Sequence, residues 1–309
     1  MLKLTPFVLL ILLSSCAAFQ PTTDADQQPD TEPLFDLSEL PESTQRYADS
    51  LLTQGLDHEA LFSLKAPLKP MSDIKLFTLP YARPDSLPSG SHYEMDPDTV
   101  DISELQKMHT IAEELSNDVL LFAIFPIKNL RGTERVFQLK VINIGAYRQM
   151  VATHQHYWIN WGVTPESHPF PAIQLIEYEE MGDRFRGYGY LYGYPDHAVD
   201  FFVEAAHHEQ ETGDFVERDF FQIPTYAEET GRFVYALEED SDPEDIDEEI
   251  KVIAADILSN YQDLRKDYVY DDTSEIIHAV KFLNDQLSNT SDEVIHPQYV
   301  SPSENRFAN

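Results

Sequence analysis

The stretch VLLFAIFPIKNLRGTERVFQLKVINI, residues 119–144, contains two strand-like segments. Residues 119–127 form a continuous apolar run of the length of a buried strand. Residues 135–144 alternate between apolar and polar side chains well enough to pair with that run. The stretch therefore predicts two adjacent strands in the middle of the fold.

Helical patterns lie on the N-terminal side of these strands. Asp101 and Glu104 have the spacing of a capping box, and apolar residues recur after them at helical spacing as far as Leu115. Nearer the N-terminus, Pro41 and Gly55 have the positions of a helix start and a helix stop, followed by a second, short helix. Residues 66–99 are rich in proline and predict irregular structure.

The C-terminal side predicts more strands and then long helices. Residues 219–237, DFFQIPTYAEETGRFVYAL, read as two strands joined by a polar loop. Asp242 and Pro243 suit the start of a long helix with an apolar stripe, and a further helix follows. We therefore predict an α+β fold with a helical hairpin at the N-terminal end, short and mainly antiparallel strands in the middle, and long C-terminal helices.

The composition limits the classes of partner. The chain has 21 Lys and Arg residues against 55 Asp and Glu residues, a formal net charge of −34. Nucleic acid is excluded as a partner because its recognition needs a basic patch. The acidity fits either adaptation to high salt or cation binding, and the even spread of the acids favours salt adaptation.

The first residues have the layout of an export signal. Lys3 is followed by the apolar run FVLLILL, residues 7–13, and then by two serines. Seven apolar residues are too few to span a bilayer, which needs about 20. The sequence LSSC that ends at Cys16, the single cysteine, resembles the lipobox of bacterial lipoproteins.

The resemblance covers residues 1–16 and implies that the chain is exported and held in a lipid bilayer by an acylated Cys16. Ala17 follows the cysteine in place of the aspartate that retains such proteins at the inner membrane, which favours the outer membrane. We expect a signal peptide at 1–15, the lipidated cysteine with a flexible acidic tether at 16–40, a globular domain at 41–290 and a polar tail at 291–309. Whether the globular part is one domain or two packed subdomains stays open.

Histidines near the middle of the chain raise the question of a metal site. His154, His156 and His168 lie close to the acids of IEYEE, residues 176–180. Two histidines separated by one residue share a face on a strand but diverge by about 200° on a helix, and this segment also fits a helix. A divalent metal at these residues would make the chain a metal-dependent hydrolase with its site at 154–180.

Four alternating tyrosines give the second candidate site. In RGYGYLYGYPDHAVDFF, residues 186–202, an extended backbone would place all four on one face, with glycines on the other face allowing close packing. Such a surface suits a saccharide or protein ligand, although ordinary core packing explains the same pattern. The tyrosines are Tyr188, Tyr190, Tyr192 and Tyr194.

Arg184 and Arg186 lie beside this segment. They are the only Lys or Arg residues between Arg148 and Arg218. A guanidinium can grip a carboxylate in a bidentate manner, so these side chains could hold an anionic ligand group, but acids of the chain itself are the favoured partners.

No motif in the chain determines a reaction. It contains no Gly-x-Ser-x-Gly nucleophile elbow, and a lipidated Cys16 is not available as a nucleophile. Paired-carboxylate hydrolysis would involve Glu177, Glu179 or Glu180, whose separations a sequence does not give. We therefore predict a non-catalytic binding or cell-envelope protein without a cofactor, with the metal-dependent hydrolase as the alternative.

Overall fold

The computed structural model describes residues 33–80, 100–131, 134–230, 233–271, 274–287 and 298. The predicted signal peptide, Cys16 and most of the predicted tether lie outside these residues, as does the predicted tail apart from Gln298. Within the described ranges, no helix is both long enough and apolar enough to cross a bilayer.

The described strands form two antiparallel sheets, as the alternating patterns predicted. The first sheet has the order β1-β3-β2, and the second is the hairpin of β4 and β5. The predicted pairing of residues 119–127 with 135–144 is confirmed, with Phe122 opposite Val141. The strands are β1 (Met71–Pro80), β2 (Leu120–Arg131), β3 (Glu134–Asn143), β4 (Arg218–Ile223) and β5 (Phe233–Glu238).

Helices precede, separate and follow the strands, so the predicted α+β class is confirmed. The first two helices form the predicted N-terminal hairpin, and a long helix lies near the C-terminal end. The helices are α1 (Glu42–Asp57), α2 (Leu61–Leu64), α3 (Ser103–Leu115), α4 (Ile144–Thr153), α5 (Gln155–Trp158), α6 (Pro169–Tyr178), α7 (Met181–Leu191), α8 (Asp196–Thr212), α9 (Asp245–Arg265) and α10 (Ala279–Leu287).

The expectation of irregular structure at residues 66–99 is wrong for residues 71–80, and residues 81–99 lie outside the described ranges. Residues 71–80 form β1, an edge strand that pairs only with β3 among the described strands. Proline at its last position, Pro80, is tolerated because a strand end on a sheet edge has no ladder hydrogen bond to lose. Pro70 and Pro80 lie at the two ends of the strand and do not disrupt it.

Two predicted helix caps differ from the observed ones. Glu104 does not cap α3, because its Oε1 accepts hydrogen bonds from Lys75 Nζ and Tyr47 OH, both at 2.8 Å. The long helix α9 starts at a capping box of Glu244 and Asp247 rather than at Asp242. In both cases the hydrogen-bond partners of the carboxylates differ from those that local spacing indicates.

The described part of the chain has two groups of buried apolar residues. One joins α1, the first sheet, the β4–β5 hairpin and the C-terminal helices. It includes Phe35 and Leu37, which lie in the segment assigned to the tether. The other group lies among α4 to α8 around the fully buried Trp158. The tyrosine segment contacts both groups, since Tyr194 packs against each.

Candidate functional site

The tyrosine segment is helical and not extended, so the predicted alternation of faces is wrong. Helix α7 covers all of it up to Leu191. On a helix, residues four apart share a face and residues two apart do not. Tyr188 and Tyr192 therefore stack with ring centroids 5.7 Å apart, while Tyr190 points to another side of α7.

Three of the four tyrosines line an apolar pocket of about 290 Å³ between α7, α8 and the β4–β5 hairpin. This volume is near the lower end of the range of about 300–1,000 Å³ for small-molecule sites. We call this cavity the tyrosine pocket. Its walls are Phe185, Tyr188, Gly189, Tyr192, Tyr194, Ala198, Val199, Phe202, Phe220, Val234, Tyr235 and Ala236.

Two glycines allow α7 and the turn after it to take this shape. A Cβ atom on Gly189 would lie 2.6 Å from Cγ2 of Val199. Helices α7 and α8 can therefore approach each other this closely only because residue 189 has no side chain. Gly193 has a φ of +73°, a conformation that favours glycine. The chain then turns back, and Tyr194 N donates to Gly189 O at 3.0 Å. The prediction of close packing at these glycines is confirmed, on helices rather than on a strand.

Three phenols of the pocket donate hydrogen bonds to carboxylates of the protein. Because three of the four phenols that line the pocket are already bonded to carboxylates, a ligand in the pocket meets mainly ring faces and aliphatic carbon. Burial raises the pKa of all three phenols above the ordinary value, and the neighbouring carboxylates raise each pKa further. The pairs are Tyr188 with Glu177 at 2.6 Å, Tyr192 with Asp73 at 3.2 Å, and Tyr235 with Asp247 at 2.7 Å.

A cluster of buried ion pairs supports Tyr192. Lys140, whose side chain is fully buried, donates to Asp73 and, at 2.9 Å, to the hydroxyl oxygen of Tyr192. Lys69, also fully buried, donates to Glu59 at 2.8 Å and lies 5.4 Å from the centre of the Tyr192 ring. A ring held by two ammonium groups and a carboxylate has a fixed position, so this wall of the pocket is preorganised.

Tyr190 belongs to a different environment. Its ring stacks on His154 at a centroid distance of 3.8 Å, and its hydroxyl accepts from Arg186 at 3.2 Å. Arg186 also forms an ion pair with Asp200, one of the chain's own acids. Arg184 packs its guanidinium 5.5 Å from the ring of Phe185. Neither arginine lines the tyrosine pocket.

The three candidate metal ligands do not converge in the structure. His154 and His156 lie at the junction of α4 and α5 with ring centroids 6.5 Å apart. His168 caps α6, where its Nδ1 accepts from Phe170 N at 3.2 Å. Among the described residues, no group of three or more His, Cys, Asp or Glu side chains is placed to hold a metal ion.

The candidate carboxylates for hydrolysis also have separate partners. Glu177 is buried, and its Oε1 accepts from Lys128 N at 2.6 Å while its Oε2 accepts from Tyr188. Glu179 accepts from the indole nitrogen of Trp161 at 3.0 Å. Glu177 thus acts as a support of the tyrosine pocket.

The sequence patterns did not identify several residues of this site. Phe202 of α8 and Phe220 of β4 lie in separate elements, and no spacing in the sequence links them. Lys140 could be recognised from the sequence, because it stands between the apolar residues Leu139 and Val141. A charged residue at such a position is seldom fully buried unless it is paired, so it points to a buried partner.

The comparisons with known proteins give no family for this site. No family model, no curated protein and no solved structure matches the chain. The geometry of the tyrosine pocket is therefore the basis for proposing a function.

Proposed function

We propose that this chain is a lipid-anchored binding protein of the cell envelope and that the tyrosine pocket holds a small apolar ligand. The observation that carries the proposal is the chemistry of the pocket walls. Ring faces and aliphatic carbons surround about 290 Å³ of space, and the phenols of Tyr188, Tyr192 and Tyr235 are bonded to carboxylates.

An apolar ligand fits these walls better than the saccharide that the tyrosines suggested. A saccharide brings many hydroxyl groups, and each one buried without a partner costs about 1–3 kcal/mol. The three bonded phenols already donate their hydrogen bonds to carboxylates, so their O–H groups are not available to donate to sugar oxygens. The pocket therefore favours a molecule that needs contact area rather than hydrogen bonds.

The experiment uses residues 16–309 with Cys16→Ser, so that no acyl chain of the protein competes for the pocket. The neutral fluorophore N-phenyl-1-naphthylamine reports entry into an apolar site by its fluorescence. We expect saturable binding at one site, and Phe220→Ala should weaken it about tenfold through loss of buried contact area.

Phe215→Ala is the matched control. Phe215 and Phe220 are both exposed phenylalanines, at 65% and 57%, but only Phe220 lines the pocket. We expect Phe215→Ala to leave the dissociation constant unchanged within about twofold, the range of surface substitutions. Fluorescence that rises linearly without saturation, or equal losses in the two variants, would show that the pocket is not the binding site.

The anchor is proposed from the lipobox and has its own test. Acyl chains on Cys16 would hold the chain at a membrane, since each buried methylene contributes about 0.8 kcal/mol. We expect Cys16→Ser to move the chain from the membrane fraction to the soluble fraction when the native and variant chains are expressed in the same bacterial host. Ser15→Ala, which keeps a small residue before the cysteine, should stay in the membrane fraction.

A further inference from the structure

The aromatic content of the tyrosine pocket bears on the charge of its ligand. Seven of the residues that line the pocket are Phe or Tyr, and among them only Phe220 is largely exposed. The face of an aromatic ring carries negative charge density and attracts cations within about 6 Å of its centre. A pocket with several ring faces can therefore surround a cation that is too apolar to remain well hydrated.

The hydrogen bonds of the pocket tyrosines strengthen this attraction. A phenol that donates its proton to a carboxylate gains electron density on its oxygen and its ring, because the anion polarises the O–H bond. Tyr188 and Tyr235 donate in this way, whereas the oxygen of Tyr192 both donates to Asp73 and accepts from Lys140 at 2.9 Å, so the effect is smaller there. The carboxylate behind Tyr235, Asp247, is fully buried, so water does not screen it.

Cationic side chains of the protein also contact the pocket rings and have to be counted. Arg184 and Arg218 lie 5.5 Å and 5.7 Å from the ring centres of Phe185 and Phe202, and two lysines contact the tyrosines. The ammonium of Lys140 lies 5.6 Å from the centre of the Tyr188 ring and 5.3 Å from that of Tyr192. Lys69 and Lys140 are each paired with a carboxylate, and Glu177 supplies a further carboxylate behind Tyr188. The charged groups behind these two rings therefore include more carboxylates than ammonium groups.

The elements that build the pocket carry a negative charge as well. Helices α7 and α8 and strands β4 and β5 contain eight carboxylates and three arginines. Arg186 and Arg218 are ion-paired, with Asp200 and Glu209. An anionic ligand would be repelled by this surface, whereas a cation would be attracted to the pocket from a distance.

From these observations we infer that the ligand of the tyrosine pocket is an apolar cation, of the class of quaternary ammonium compounds that carry a hydrocarbon or aromatic group. The inference rests on the proposed function and specifies the ligand for the same pocket. The ring faces and aliphatic walls take the apolar part and the positive charge together, and no ion pair with the ligand is needed.

The test compares two probes of the same shape. Benzyltrimethylammonium and neopentylbenzene differ by a charged nitrogen in place of a carbon atom. The dissociation constants of both probes for residues 16–309 with Cys16→Ser are measured by calorimetry or by competition with N-phenyl-1-naphthylamine. We expect the cation to bind about fivefold more tightly, as attraction to several ring faces predicts. Equal or tighter binding of neopentylbenzene would overturn the inference while leaving the proposed function intact, whereas binding of neither probe would count against both.

Two variants separate attraction to the rings from the general charge of the protein. Phe202→Leu keeps an apolar side chain and removes a ring face, and Tyr188→Phe keeps the ring and removes the hydrogen bond to Glu177. We expect each variant to weaken the binding of benzyltrimethylammonium about threefold and that of neopentylbenzene by less than twofold. Each ratio compares two probes on one variant, so partial loss of stability does not change it. Equal weakening of both probes in both variants would overturn the inference.

Discussion

Asp73→Ala should lower the free energy of unfolding by about 3–5 kcal/mol, because it leaves the ammonium of Lys140 buried without its charge partner. The side chain of Lys140 is fully buried in β3, and that of Asp73 is 29% exposed on β1. Besides Asp73, Lys140 contacts the oxygen of Tyr192, a neutral acceptor that does not compensate the charge. Urea denaturation of the native and variant chains measures the change, provided that the slope m is the same in both.

Substitution of the other partner, Lys140, should lower the free energy of unfolding by less. Lys140→Met fills a similar volume with an apolar side chain and leaves the charge on Asp73, which can regain water through its exposed side and keeps the hydrogen bond from Gln138 at 3.0 Å. We expect a loss of about 1 kcal/mol or less, since the carboxylate that loses its partner is partly exposed and stays hydrated, so no uncompensated charge is left buried.

Glu104→Ala provides the control for an ion pair near the surface. Glu104 pairs with Lys75, the lysine of β1, but the side chain of Glu104 is 54% exposed. Such pairs contribute about 0–1 kcal/mol. If Lys140→Met proved as destabilising as Asp73→Ala, burial of the lysine would not be the source of the effect, and our account of the pocket wall would be wrong.

Local patterns were sufficient for most of the secondary structure. The alternation of residues 135–144, the apolar run before it and the stripes of the C-terminal helices all correspond to observed elements. These signals depend on neighbours within one or two turns or along one strand, which is the information that a single sequence holds.

The tyrosine segment shows where local patterns fail. Alternation of tyrosine and glycine is typical of a strand, and both residue types are poor helix formers. The segment is nevertheless helical because its glycines allow close contact with other helices: a Cβ atom on Gly187 would lie 2.7 Å from Ile176, and one on Gly189 would meet Val199. Tertiary packing overrides propensity here, and the partners are not visible in the segment itself.

The tyrosine pocket lies in the segment that the sequence patterns singled out, but only some of the predicted residues line it. Tyr188, Tyr192 and Tyr194 line the pocket, whereas Tyr190 stacks on His154. The second wall comes from Phe220 and Ala236, which are partners in the β4–β5 hairpin and reach the pocket through the contact of β5 with α8. Such a juxtaposition depends on how elements pack, and no spacing in the sequence encodes it.

Gly189→Ala should destabilise the fold by about 1–3 kcal/mol, although the same change on an open helix surface stabilises by about 1 kcal/mol. The added methyl group would lie 2.6 Å from Cγ2 of Val199, a short side chain with little freedom to move aside. Helices α7 and α8 would have to separate, which would also widen the tyrosine pocket and weaken the binding of N-phenyl-1-naphthylamine.

Gly145→Ala is the control for Gly189→Ala. A double-mutant cycle with Val199→Ala tests whether contact with Val199 causes the loss of stability. Gly145 lies in α4, where an added Cβ would meet only Asn143 Oδ1 at an ordinary 3.5 Å, so we expect it to stabilise or to be neutral. Val199→Ala alone opens a cavity, but combined with Gly189→Ala it gives the new methyl group room. We therefore expect the double variant to be more stable than the sum of the single changes by about 1–2 kcal/mol, measured by urea denaturation. Additive losses would mean that Val199 is not the obstacle, and that the close approach of α7 and α8 is not what requires glycine at position 189.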